Sequence, residues 1–128
     1  MILLDTHVFI WFVNGDDKLS EKHLKILKEE ESKHISVISC WEISLLLEKE
    51  RIKLKYPFDD WIQKALSAYN VNLINLDLDV ILIYHKPVDF HSDPADKLIT
   101  ATLICKNIPL LTFGKKLIEF KGLKTLKI

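Results

Sequence analysis

The sequence predicts an α/β domain built on a central parallel sheet, and three observations carry that prediction. The chain opens with Met1-Ile2-Leu3-Leu4, a short, wholly apolar run ended by the carboxylate of Asp5, which reads as a strand buried on both faces of a parallel sheet. Strand-like and helix-like segments then alternate along the chain, the pattern of parallel strands joined by right-handed helical crossovers. The composition, 48% hydrophobic with three glycines in 128 residues, suits one compact core that needs no staples. No repeat, low-complexity segment or long linker divides the chain, so a single domain over residues 1–128 is expected.

The elements follow in order. After Asp5, the apolar stretch 6–13 predicts a short helix ending at Asn14-Gly15-Asp16-Asp17. Ser20 can cap a second helix over 21–32, where Leu24, Ile26 and Leu27 lie among charged residues. His34 to Ile38 is rich in β-branched residues and reads as a strand. Ser39-Cys40-Trp41-Glu42 opens a helix to about residue 51, apolar nearly all round, so it must be buried on several sides or meet a partner chain. Pro57 starts a helix over 58–69, and 71–76 is a strand. Asp77 starts a helix that Lys86-Pro87-Val88 breaks. Asp93-Pro94 begins the most regular helix, to Lys106, with Leu98, Ala101, Thr102 and Cys105 at helical spacing. A strand over 108–112, a short helix over 114–120 and a closing strand over 125–128 complete the pattern.

Formal net charge is zero, so no global basic field announces nucleic acid. The distribution is uneven: residues 97–128 hold seven lysines against Glu119 alone, while residues 1–96 hold 11 Lys plus Arg against 17 Asp plus Glu. Cys40 and Cys105 sit in apolar helical patterns and are expected as small buried hydrophobes rather than a disulfide scaffold. No run of about 18 apolar residues and no leader pattern is present. A soluble, cytoplasmic protein without a membrane anchor is expected.

Acids stand at helix starts in three places: Asp5 after the first strand, Glu42 three residues beyond Ser39, and Asp93 with Asp96 around Pro94. Each has a structural reading: Asp5 as a helix cap, Ser39-x-x-Glu42 as a capping box, and Asp93-Pro94-Ala95-Asp96 as an ordinary helix start. Their convergence is the argument against that reading. The carboxyl ends of parallel strands share one edge, where open α/β sheets bind ligands. Carboxylates gathered there repel unless protonated or bridged by a cation. Oxygen ligands without a Cys or His cluster suit Mg²⁺ or Mn²⁺ rather than zinc, and such a site favours phosphate chemistry.

Ile2-Leu3-Leu4-Asp5-Thr6-His7, Ser39-x-Trp41-Glu42-Ile43 and His91-Ser92-Asp93-Pro94-Ala95-Asp96-Lys97-Leu98-Ile99, in this order and spacing, resemble the motifs of the PIN domain family. They are similar in particular to its VapC-type toxin ribonucleases, over essentially the whole chain. The resemblance implies a three-layer α/β/α sandwich with a central parallel sheet, a Mg²⁺- or Mn²⁺-dependent endoribonuclease acting on RNA, a homodimer and a cognate antitoxin partner. It assigns Asp5, Glu42 and Asp96 as catalytic metal ligands and lets Asp93 add a ligand, directly or through water. Thr6 would bond a carboxylate or a water at the metal. The family's fourth acid, in a Thr-x-Asp pattern, is replaced here by Thr112-Phe113-Gly114, and Glu119 is not assumed to substitute.

A second class therefore stands beside the nuclease: a non-catalytic PIN-like module that binds RNA or protein through the same face. Lys97 and lysines 106, 115, 116, 121, 124 and 127 either flank an RNA path or are solvated surface charges. His91 either touches the site or packs in its loop, and Trp11, Trp41 and Trp61 are expected in core or interface packing. A phospho-receiver domain needs an acid pair beside its acceptor, and only Asp5 follows the first strand. Neither a phosphate-binding glycine loop nor a Gly-x-Ser-x-Gly elbow is present.

Overall fold

The computed structural model describes residues 1–86 and 93–112. The chain runs β1 (Ile2–Leu4), α1 (Thr6–Asn14), α2 (Glu21–Glu29), β2 (Lys33–Ser36), α3 (Val37–Glu48), α4 (Phe58–Ala68), β3 (Val71–Ile74), α5 (Leu78–His85), α6 (Pro94–Lys106) and β4 (Leu110–Leu111). The four strands form one parallel sheet in the order β3-β2-β1-β4, the predicted α/β/α architecture. The elements expected over 114–120 and 125–128, with His91, Gly114 and Glu119, lie outside the described residues.

Alternation along β1 divides the interior into two cores. Ile2 and Leu4 face Phe9, Phe12, Leu27, Trp61 and Ala65, and so bury α1, α2 and α4 on one side. Leu3 faces Ala95, Ile99, Leu103 and Leu110, which sets α6 on the other side. A strand sandwiched this way has no solvent face, which is why its sequence is apolar without alternation. Helix α3 joins the two layers, placing Ile43 in the first core and Ile38 in the second. Helix α5 packs on α6, and the Lys106 ammonium bonds the α5 cap residue Asp77 at 2.7 Å.

The junction of β2 and α3 differs from the expectation. Val37 and Ile38, read as strand, are the first two residues of α3, because the Ser36 hydroxyl accepts the Ile38 N–H at 3.0 Å and caps the helix directly off the strand. Ser39 is consequently inside the helix and forms no capping box with Glu42. The remaining boundaries shift by a few residues: α2 stops at Glu29, α3 at Glu48 and β3 at Ile74. Trp61 is a core residue and Trp11 packs against the same core, whereas Trp41 is 49% exposed. Both cysteines are reduced thiols, each partly buried.

Candidate metal and active site

Asp5 ends β1 and caps α1, its carboxylate accepting the Thr6 N–H at 2.8 Å. The Asp5 N–H continues the ladder to the Leu111 carbonyl at 3.0 Å. Pairing of Leu4 with Leu111 puts the next residues, Asp5 and Thr112, side by side, and the Thr112 hydroxyl donates to the second Asp5 oxygen at 2.6 Å. The carboxylate is therefore held at both oxygens. The capping reading of Asp5 is correct, yet capping occupies only one of them.

Glu42 stands on the second turn of α3, where it accepts a 2.7 Å hydrogen bond from the Thr6 hydroxyl. The same hydroxyl lies 2.9 Å from that of Ser39, which is wholly buried. Threonine has one hydroxyl proton and an ionised carboxylate can only accept. When Glu42 is ionised, the relay thus runs from Ser39 to Thr6 to Glu42. The role of Ser39 was hidden in the sequence because its spacing to Glu42 imitates a capping box. Thr112 carried a usable signal, a hydroxyl one residue past a buried strand.

Asp93 caps α6, accepting the N–H groups of Ala95 at 2.9 Å and Asp96 at 3.1 Å, with Pro94 in the first turn. Burial pushes the Glu42 carboxyl up from 4.5 to about 7; the Thr6 bond opposes this, and the charges of Asp5, Asp96 and Asp93 add to it. Three of the predicted acids, Asp5, Asp96 and Asp93, thus act on the fourth, Glu42. Among the described residues, no three His, Cys, Asp or Glu side chains come together tightly enough to chelate an ion; the field at Glu42 is what links them. The donor set is all oxygen, which fits Mg²⁺ or Mn²⁺.

Other candidates lie elsewhere. The Lys97 ammonium sits 4.2 Å over the Tyr84 ring, and Lys106 is engaged with Asp77. The His7 ring packs against Trp11, with centroids 5.8 Å apart.

Two outcomes follow for this cluster. Glu42 binds more protons folded than unfolded between pH 4.5 and about 7, so its contribution is greatest below 4.5 and is lost as pH rises through 7. Glu42→Gln is expected to make the chelator-treated protein more stable at pH 8 by about 1–2 kcal/mol, allowing for solvent screening, with the gain vanishing near pH 4. Urea unfolding at the two pH values checks this. Thr6→Val strips Glu42 of its donor and strands the buried Ser39 hydroxyl, at an expected cost of about 1–3 kcal/mol. Thr6→Ser should recover most of it in the same assay.

The PIN domain family model matches residues 2–123 of this chain. Ribonuclease VapC22 of Mycobacterium tuberculosis (strain ATCC 25618 / H37Rv) is 32% identical over 117 residues, covering 91% of this chain and 88% of that protein. VapBC2 from Rickettsia felis, solved bound to a DNA fragment from its promoter, has a chain that superposes with a TM-score of 0.70 at 21% identity, covering 98% of both chains. A toxin–antitoxin complex from Klebsiella pneumoniae gives 0.70 at 19% identity, covering 99% of this chain and 97% of the other. These structural likenesses concern the fold.

Proposed function

Because this chain belongs to the PIN domain family, we propose that it is a VapC-type ribonuclease, the toxin of a type II toxin–antitoxin pair. In this reading it is a Mg²⁺- or Mn²⁺-dependent endonuclease that hydrolyses RNA phosphodiester bonds. The observation that carries the reading is Thr6, which donates its N–H to Asp5 and its hydroxyl to Glu42 and so holds two of the acids together at the sheet edge, where burial and the charges of Asp5, Asp96 and Asp93 raise the Glu42 carboxyl. Asp5, Glu42 and Asp96 would hold the cation, with Asp93 adding a ligand directly or through water. Such a cation supplies charge neutralisation at the phosphate and a more acidic water.

The chain's own groups supply orientation. Thr112 and the Thr6 N–H fix the plane of the Asp5 carboxylate. The Ser39–Thr6 pair aims one oxygen of Glu42, where burial favours a proton that a cation held there would compete with. Asp93, engaged with the α6 backbone, fixes where Asp96 stands.

Partnership belongs to the same proposal. The Klebsiella relative is described as a toxin–antitoxin complex, which supports a cognate antitoxin here. Leu78, Ile81 and Leu82 on α5 and Ile104 on α6 are exposed apolar residues, which supports a homodimer. No helix among the described residues is long and apolar enough to cross a membrane; a single cytoplasmic domain completes the reading.

The second reading, a PIN-like binding module that does not cut, is favoured by Gly114 in the position of the fourth family acid. Calorimetric titration with Mg²⁺ and Mn²⁺, beside cleavage of a mixed RNA pool, separates the two. Metal-dependent cleavage is the expected result. A folded protein that cuts no RNA at any metal concentration would establish the binding module instead.

A further inference from the structure

At the far end of α1 from Asp5, the structure contains a cavity of about 460 Å³ with a different chemistry. Helix α1 has nine residues, so its ends are separated by about 13 Å at 1.5 Å per residue. Val13 and Asn14 close the helix on one side of the cavity, and α4 with the segment before it forms the other. The lining includes Lys53, Lys55 and Lys64 but no aspartate or glutamate. None of these lysines has a carboxylate partner among the described ion pairs. Three cationic side chains with no acid among the lining make the opening attractive to an anion.

The walls are apolar and partly aromatic. Trp61 is buried, Tyr69 is tied to the Val13 carbonyl through its hydroxyl at 3.2 Å, and Tyr56 is 47% exposed. The Lys64 ammonium lies 3.8 Å over one face of the Tyr56 ring, so a base stacking on that face takes the ammonium's place and releases it to a phosphate. Lysine binds phosphate as a mobile point charge, and an exposed tyrosine face accepts any base by stacking. The volume falls at the lower part of the range for small-ligand sites, suited to one nucleotide rather than a duplex.

We propose that this cavity is a second, nucleotide-binding site, taking the phosphate on Lys53, Lys55 and Lys64 and the base on Tyr56. It is separate from the acid edge and requires no metal. A free mononucleotide and a single nucleotide of an RNA strand share this chemistry; where the ligand is a strand, the inference rests on the ribonuclease reading.

The test is an NMR titration of the whole protein in chelator, so that no cation bridges phosphate to the acid edge. The probes are adenosine monophosphate, adenosine, inorganic phosphate, a hexaribonucleotide and a glutamate-rich peptide. Saturable shifts at Tyr56, Lys64 and Tyr69 are expected with the phosphorylated nucleotide, and weaker ones with phosphate or adenosine alone. Affinity should fall about tenfold in Tyr56→Ala, the loss of one stacked base, and fall further in Lys53→Ala/Lys55→Ala. All three are exposed positions, and circular dichroism confirms the fold. Saturation by the mononucleotide identifies a free-ligand site, and saturation by the hexamer alone identifies a strand subsite. The mononucleotide result stands even when the protein cuts no RNA, so failure of the ribonuclease reading and failure of this site are distinguishable. The proposal is overturned when neither nucleotide probe shifts these residues, when the variants bind unchanged, or when the acidic peptide alone binds.

Discussion

Asp5→Asn is expected to abolish metal-dependent cleavage of RNA while leaving the protein folded. The substitution removes the charge but keeps the shape. Asparagine is as good a helix cap as aspartate, so its amide oxygen keeps the bond from the Thr6 N–H, and its amide NH2, in place of the second carboxylate oxygen, can donate to the Thr112 hydroxyl oxygen. What is lost is one anion of the proposed metal set. Removing an outer partner of a metal ligand already costs about 10–100-fold in affinity or activity, and losing a ligand should exceed that. Parallel calorimetry and cleavage check it. Joint loss of both supports the assignment of Asp5, and undiminished cleavage by the variant would rule it out.

Phe9→Ala is the second large effect, and it reaches the site through packing. Phe9 is fully buried and meets Trp61 edge-on, with centroids 5.8 Å apart at 85°. Its N–H bonds the Asp5 carbonyl at 3.0 Å, closing the first turn of α1. Truncation should cost about 3–5 kcal/mol, lowering the melting temperature by on the order of 10–20 °C. A loss below about 1 kcal/mol in urea unfolding would show that the core refills the space. Asp5 depends on the same turn, so metal affinity should also weaken at temperatures where the variant remains folded.

Much of this arrangement is legible in the sequence. The unbroken apolar run before Asp5 identified a doubly buried strand, and Asp93-Pro94 identified the start of α6, because strand burial and helix capping are local in sequence. Asp77 was read correctly as the start of α5 for the same reason. The β2–α3 junction is not legible there, since β-branched Val37 and Ile38 favour a strand and only the Ser36 cap turns the chain into a helix. Of the two places expected for Trp41, core or interface, its exposure excludes the core, because helical periodicity alone does not say which side of an apolar helix faces inward. The link from Thr112 to Asp5 spans 107 positions, and only strand register fixes it.

That span has a consequence for synthesis. β1 emerges first yet ends as an interior strand, bonded to β2 on one edge and β4 on the other. At about 5–20 residues per second, roughly 5–20 s separate the appearance of Asp5 from that of Thr112. Throughout that interval one edge of β1 has no strand to pair with, a liability for aggregation, and Asp5 lacks the hydroxyl that orients it. A ribosome-bound nascent chain therefore carries the acids of the site before it can carry the assembled site. The edge is complete only once Thr112 has been made.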